Sequence, residues 1–164
     1  MNLKMEEEKY LRLLDLVAIG TISDIVPLVD ENRVIAKLGL KLIKQTQNIG
    51  LQTLIKIAGF KKLDSYSISY GIAPRINASG RMGHAKEALE LFITENYEQA
   101  RQIANKLNVY NLNRQEVEKR ITKEVLEELN NKDTKDLQAI VLGNEDWHHG
   151  VIRYSVFKSN RKLL

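Results

Sequence analysis

The stretch 73–82 concentrates polar side chains where packing alone does not require them. Its sequence, APRINASGRM, offers two guanidinium groups, an amide and a hydroxyl within seven residues, from Arg75, Asn77, Ser79 and Arg81. Guanidinium groups bind phosphate oxygens through paired hydrogen bonds, and amide and hydroxyl groups add further donors. The pattern predicts contact with phosphate. A polar network that ties a kinked helix to its neighbour is the alternative.

A second stretch, 18–28, places one carboxylate in a bend rich in small and hydroxyl-bearing residues. Its sequence is AIGTISDIVPL, and the carboxylate belongs to Asp24. Carboxylate oxygens are the ligands that Mg²⁺ and Mn²⁺ prefer. Because the chain has no cysteine, any metal must be held by oxygen or imidazole groups. Asp24 is therefore a candidate metal ligand, with helix or turn capping as its alternative role.

Positive charge is concentrated in one part of the chain. Seven basic residues and one acidic residue lie within 31–62, whereas the whole chain has a net charge of +4. Arg33, Lys37 and Lys41 are spaced four apart and share one face if that segment is helical. Such a face fits a polyanion such as nucleic acid, or it is an ordinary solvated surface.

Composition narrows the class of protein. The 164 residues are 43% hydrophobic and 28% charged, which suffices for one ordinary core or two partial ones. No apolar run approaches the roughly 18 to 20 residues of a membrane span, and the first residues lack the pattern of a signal peptide. We therefore expect no membrane association and a cytoplasmic location.

Helical periodicity dominates the elements that must position these groups. Apolar spacing predicts helices over 7–19, 32–45 and 51–58, the last closed by Gly59. A further helix over 66–77 is capped by Asp64 or Ser65, and Pro74 places the arginines and asparagine at a kink or helix end. After a short helix over 84–93, a helix over 96–131 spans roughly 50 Å and is expected to connect two bodies. A buried strand is predicted over 137–143.

Four separate patches, in order, resemble the middle of RecJ-type exonucleases specific for single-stranded DNA. They are DLVAIGTISDIVPL at 15–28, APRINASGRM at 73–82, LN through NRQE at 107–116 and WHHGVI at 147–152. RecJ proteins belong to the DHH phosphoesterase superfamily. The resemblance covers roughly residues 8–152, and the tail from Arg153 onward departs from it.

The resemblance implies a predominantly α region of an α/β parent. Residues 1–94 would form the C-terminal part of a DHH catalytic domain, 95–132 the long connecting helix, and 133–164 the start of a truncated DHHA1 domain with a divergent tail. The Asp-x-Asp and Asp-His-His motifs of the superfamily are expected upstream of this chain. Asp146-Trp147-His148-His149 is not that motif, and a turn with hydrogen-bonded imidazoles is preferred there.

Site residues follow by the same resemblance. Asp24 would be one ligand of the Mn²⁺ or Mg²⁺ site, while Arg75, Asn77, Ser79 and Arg81 would line the path of single-stranded DNA. No catalytic residue is assigned. The resemblance implies a fragment of a 5′ to 3′ single-strand exonuclease of DNA repair and recombination, inactive by itself. We also expect surfaces meant for the absent parts to cause self-association.

Two other functions fit the residues. One is a DHH phosphodiesterase fragment acting on short oligonucleotides or cyclic dinucleotides. The spacing from Asp24 to Arg75 and the Asn- and Arg-rich connector favour the RecJ type instead. The other is a non-catalytic helical module that binds nucleic acid or a partner through its basic face.

Overall fold

The computed structural model of the chain describes residues 7–131 and 141–152, and all of their regular secondary structure is helical. The helices are α1 (Glu7–Arg12), α2 (Leu14–Ser23), α3 (Asp30–Ile43), α4 (Ile49–Ala58), α5 (Ser65–Ser67), α6 (Ala73–Met82), α7 (Ala85–Ile93) and α8 (Tyr97–Asn130). A π-helical turn, Ile68–Ile72, joins α5 to α6. These two ranges contain no strand, which confirms the predominantly α fold class. None of their helices is both long and apolar enough to span a bilayer.

The strand predicted over 137–143 lies mostly outside the described residues. Positions 141–143 belong to no regular element, and 137–140 are not described. The divergent tail after residue 152 is also outside the described part, so both predictions stand as they were.

The helix predicted over 7–19 is divided and extended. A turn at Leu13 separates α1 from α2, and α2 then passes through Gly20 to Ser23. The Thr21 hydroxyl donates to the Val17 carbonyl at 3.0 Å and the Ser23 hydroxyl donates to the Ile19 carbonyl, so both polar side chains are satisfied within the helix. The predicted end of this helix at residue 19 is therefore wrong, and Asp24 becomes the C-cap of α2.

Local signals set the neighbouring helix ends. The Asn48 side chain accepts the Leu51 N–H at 2.9 Å and begins α4, and Gly59 closes it with a φ of 72°, as predicted. Asp64 caps α5 as predicted: its carboxylate accepts the Ser67 N–H while the Ser67 hydroxyl accepts the Asp64 N–H. This hydrogen bond from the Ser67 backbone lowers the pKa of Asp64.

The main hydrophobic cluster fills the space between α2, α3, α4, the π turn, α7 and the first half of α8. Ile43, Leu51, Leu54, Ile68, Ile72, Leu91 and Leu107 are its largest buried side chains. Each fully buried Leu or Ile contributes roughly 1.5–3 kcal/mol. The π turn and the start of α6 are thus anchored in the core on one side.

A second, smaller cluster lies on the far half of α8. Ile121, Val125 and Leu129 pack with Trp147 and Val151, which reach back from the segment after residue 140. The Trp147 indole N–H donates to a Glu124 carboxylate oxygen at 2.7 Å. At 1.5 Å per residue, the 34 residues of α8 extend about 51 Å, so one helix serves both clusters.

Between the two clusters, α8 buries polar side chains instead of apolar ones. Arg114 Nη1 lies 2.7 Å from Glu118 Oε2, and Arg114 also donates to the Asn111 side-chain oxygen. All three residues are less than 10% exposed. We call Asn111, Arg114 and Glu118 the polar seam, because they separate the two apolar cores along one helix.

Candidate functional site

The helix that carries Arg75 widens just before Pro74. In the π turn, the Ala73 N–H donates to the Ile68 carbonyl five residues back. Proline has no N–H, and in an α-helix its ring collides with the carbonyl four residues earlier. The wider turn moves that carbonyl away from the ring, so the helix passes Pro74 without a break. The prediction of a kink or helix end is confirmed in altered form: the π turn replaces a break, Pro74 lies in the first turn of α6 and Arg81 in its last turn.

Phe60 packs directly against the π turn. A Cβ on Gly71 would lie 1.9 Å from Phe60 Cε2, which no real structure tolerates. Only glycine allows the ring to approach this closely. The aromatic ring therefore packs directly on the turn at Gly71, and the Gly71 carbonyl accepts a hydrogen bond from the guanidinium of Arg75.

Arg75 is held at two of its nitrogens. Nε donates to Asn108 Oδ1 on α8 at 2.9 Å, and Nη1 donates to the Gly71 carbonyl at 2.7 Å. Partial burial lowers the pKa of Arg75, but an arginine stays protonated at neutral pH. Nη2 has no hydrogen-bond partner among the described residues, and the side chain remains partly exposed. The group is an oriented cation with one outer nitrogen available to an anion.

Asn77 and Ser79 differ in accessibility although they are two residues apart. Asn77 is exposed, whereas Ser79 is 1% exposed and its hydroxyl donates to the Ile76 carbonyl at 2.7 Å. Asn77 can therefore reach a ligand from the helix surface. The Ser79 hydroxyl is already used inside its own helix, so its assignment to phosphate stays a prediction without support from this geometry.

Arg81 connects α6 to the segment that carries Trp147. Its Nη1 donates to the Gly150 carbonyl at 3.0 Å, across a sequence separation of 69 residues. A Cβ on Gly150 would lie 2.9 Å from the Arg81 carbonyl oxygen, so the backbones are close together. The structure thus gives Arg81 a role in joining the two clusters, and contact with phosphate stays a prediction for it.

Asp24 lies in the exposed loop that follows α2. Its N–H donates to the Gly20 carbonyl, while its carboxylate has no hydrogen-bond partner or ion pair within the described ranges. Ile25 beside it adopts a φ of 56° and is 85% exposed. A positive φ is uncommon for a β-branched residue. The loop therefore presents a free carboxylate next to a strained residue.

The two predicted stretches are neighbours in the fold. The Ser69 hydroxyl in the π turn donates to the Ile22 carbonyl at the end of α2, at 3.4 Å. Ile22 is two residues from Asp24, and Ser69 is six residues from Arg75. The end of α2, next to Asp24, and the π turn that leads into α6 are thus in direct contact.

Other polar groups noted in the sequence are on the surface. His148 is exposed, and its Nδ1 accepts the Gly150 N–H at 3.2 Å, which agrees with the predicted turn. Arg33, Lys37 and Lys41 are all exposed along α3. The geometry confirms a basic helix face, and its binding to a polyanion stays a prediction.

Several curated proteins are similar in sequence to this chain over most of its length. RecJ of Bacillus subtilis, a single-stranded-DNA-specific exonuclease, is 39% identical over 142 residues, which are 85% of this chain and 18% of that protein. RecJ of Thermus thermophilus is 34% identical over 142 residues, 87% of this chain and 21% of that protein. No protein-family model matches the sequence.

Solved structures of RecJ proteins also superpose on this chain. RecJ from Thermus thermophilus in complex with Mn²⁺ superposes with a TM-score of 0.85 at 32% identity, covering 93% of this chain and 23% of that one. A manganese-bound exonuclease RecJ gives 0.82 and covers 38% of that chain. Over most of its length, the chain is similar to one region of RecJ proteins. It spans about a fifth to a quarter of the curated RecJ proteins it matches.

RecJ structures contain Mn²⁺ or Mg²⁺, so the fit of this region to such a metal can be examined. Asp24 offers one unpaired carboxylate, the ligand type that both ions prefer. No three His, Asp or Glu side chains come together to hold a metal within 7–131 and 141–152. The described residues therefore fit as one ligand of a RecJ-type site and do not form a complete one.

Asn108 and Gly150 are the site residues that the sequence did not assign to a role. Asn108 orients Arg75 from α8, and Gly150 supplies the carbonyl that holds Arg81. Asn108 was visible as a polar interruption of the apolar stripe of α8, which is a signal of a buried polar contact. Nothing in the sequence indicated which arginine it would bind.

Proposed function

We propose that this chain forms part of a RecJ-type 5′ to 3′ single-stranded DNA exonuclease that hydrolyses phosphodiester bonds with Mn²⁺ or Mg²⁺. The observation that carries the proposal is Arg75, held at Nε and Nη1 with Nη2 available, on a helix whose preceding π turn contacts the end of α2 beside Asp24. The names and metal contents of the similar RecJ proteins support it. A DNA substrate in turn fits a cytoplasmic protein of repair and recombination.

Asp24 is proposed to supply one oxygen ligand to the metal site. When bound, such divalent ions activate a water and stabilise the charge that develops on the phosphoryl group. Because one carboxylate cannot hold the ion, the isolated chain is expected to be inactive. The other ligands would come from parts of a RecJ protein outside this region.

Arg75 and Asn77 are proposed to contact the backbone of the single strand. Arg75 is oriented before the strand arrives, so little side-chain freedom is lost on binding. Asn77 lies two residues further on the exposed surface of α6 and can add a neutral hydrogen bond. Arg81 and Ser79 are proposed to support this helix, with Arg81 reaching phosphate only if its contact with Gly150 opens.

The proposed division into domains follows the two clusters. Residues 1–94 would form the C-terminal part of the catalytic domain, 95–132 the connecting helix, and 133–164 the start of the second domain. Apolar side chains on α2 and α3 are exposed, including Val17, Val34 and Leu38 at 47%, 55% and 42%. We propose that this surface makes the isolated chain self-associate, which light scattering would measure as a concentration-dependent mass.

A chimera tests the exonuclease proposal. Residues 14–131 would replace the matching region of Thermus thermophilus RecJ, and digestion of a 5′-labelled single strand would be followed with Mn²⁺. The chimera is expected to digest the strand, and Asp24→Asn is expected to abolish digestion because the metal loses a ligand. Asp146 is exposed and lies in the other cluster region, so Asp146→Asn in a chimera extended to residue 152 is the matched control. Full activity of the Asp24→Asn chimera would refute the metal-ligand role.

A further inference from the structure

Two exposed tyrosines stack against each other on the helix that leads to Arg75. The ring centroids of Tyr66 and Tyr70 are 4.7 Å apart and the ring planes meet at 34°. The residues are 66% and 70% exposed, and neither belongs to the two hydrophobic clusters. The pair therefore presents aromatic surface to the outside without contributing to the core.

The tyrosine pair forms one wall of a cleft of about 350 Å³. The opposite wall is the loop around Asp24, including Ser23, Ile25 and Val26. Five of the nine residues that line the cleft carry a hydroxyl group, and none is charged. This composition suits a flat, uncharged ligand with hydrogen-bonding edges better than a purely aliphatic segment.

Residues of the proposed site adjoin this cleft along the chain. Asp24 lies between two lining residues, Ser23 and Ile25. Tyr70 is followed directly by Gly71, whose carbonyl accepts from Arg75. The aromatic wall and Arg75 therefore belong to one continuous helical segment.

We propose that this cleft binds a nucleobase of the single strand, stacked on Tyr66 and Tyr70. The inference rests on the proposed function and adds to it a site for the base. Proteins that bind single strands without sequence preference use aromatic side chains in this way, since every base has a π face. The cleft would therefore accept any base and reject a strand without bases.

The test compares strands with and without bases, using the full 164-residue chain. One strand is a thymidine homopolymer, and the other is a deoxyribose-phosphate strand of equal length without bases. Tyr70→Leu keeps an apolar side chain but removes the aromatic ring. Tyr70→Phe keeps the ring and removes only the hydroxyl group. Tyr97 is also exposed, at the start of α8, so Tyr97→Leu is the matched control.

The unchanged chain is expected to bind the thymidine strand more tightly than the baseless strand. Tyr70→Leu should weaken binding of the thymidine strand roughly 5- to 100-fold and leave the baseless strand unaffected. Tyr70→Phe and Tyr97→Leu should change neither affinity. In a strand with a 2-aminopurine base, stacking should quench its fluorescence in the unchanged chain and not in Tyr70→Leu.

Each contrary result has a separate meaning. If the unchanged chain binds both strands equally, and Arg75→Ala weakens both, the base site is refuted while strand binding holds. If neither strand binds, the strand-binding role proposed for this chain also fails. If Tyr70→Leu changes only the mass in solution, the tyrosine pair covers a protein surface and the base site is again refuted.

Discussion

The two hydrophobic clusters on α8 are stabilised in different ways. The first is formed by side chains from several helices, with Leu51, Leu54 and Leu107 fully buried. The second has a much smaller apolar centre around Trp147 and depends on single polar contacts, from Arg81 to Gly150 and from Trp147 to Glu124. Regions with few buried apolar contacts open at lower free energy. The second region should therefore open first and independently.

The same contrast separates the two arginines of α6. Arg75 is anchored beside the first cluster and keeps one nitrogen for a ligand, whereas Arg81 joins α6 to the second cluster. Residue type is identical at both positions. The backbone carbonyls and side chains nearby decide which guanidinium is placed for binding and which for structure.

Removal of the Trp147 side chain should have the largest effect on the difference in stability between the two clusters. Trp147→Ala is expected to lower the local stability of the second region by about 3–5 kcal/mol, because a buried indole leaves a cavity. Hydrogen exchange should become faster over 121–129 and 147–152 while 49–58 stays protected. Leu54→Ala is the counterpart and should weaken protection in the first region. Equal loss of protection everywhere after Trp147→Ala would show that the two regions open as one.

Replacement of Arg81 should mainly lower stability, whereas replacement of Arg75 should mainly weaken binding of single-stranded DNA. Arg81→Ala removes a charged hydrogen bond and should lower the free energy of unfolding of the second region by about 1.5–3 kcal/mol, which urea titration of Trp147 fluorescence would measure. Arg75→Ala should instead weaken single-strand binding and reduce the slope of log affinity against log salt by about 0.7. Arg101→Ala, at an arginine paired with Glu98, controls for lost charge. If Arg81→Ala weakens single-strand binding more than Arg75→Ala does, Arg81 is the binding residue and Arg75 the structural one.

Acidic pH should slightly lower the stability of the region around the first hydrophobic cluster. Lys106 lies 2.7 Å from Glu87 and joins α8 to α7, and this hydrogen bond lowers the pKa of Glu87 from its ordinary value of 4.5. The pair therefore contributes stability above pH 4.5 that is lost as the pH falls through the lowered pKa. Glu87→Gln should remove this part of the acid sensitivity, which thermal unfolding at several pH values would reveal. Since the pair is near the surface, the change in Tm should be slight. If the Tm of Glu87→Gln falls with pH as it does in the unchanged chain, other carboxylates cause the loss of stability in acid.

Local signals made much of this fold predictable. Asp64 and Gly59 mark helix ends through their own backbone geometry, and the period of α8 is evident from its apolar residues. The pairing of Arg75 with Asn108, 33 residues away, was not predictable, because it depends on which helices pack together. The π turn was missed for a related reason: Pro74 predicts a disturbance, but the packing of Phe60 on Gly71 determines its form.

The candidate site was predictable to a similar extent. Residue types located Asp24 and Arg75, and the fold brings their segments together through Ser69 and Ile22. The same reasoning could not separate Arg75 from Arg81, since both satisfy the chemistry of phosphate binding. It also gave no weight to Tyr66 and Tyr70, whose importance depends on exposure that only the three-dimensional arrangement reveals.

The polar seam lies entirely within α8, because Asn111, Arg114 and Glu118 hydrogen-bond to one another three and four residues apart on the same helix. Side-chain pairs at this spacing stabilise a helix from within. The middle of α8 is therefore reinforced at the point where it passes from one hydrophobic cluster to the other. A continuous rod of about 51 Å sets the distance between the two clusters.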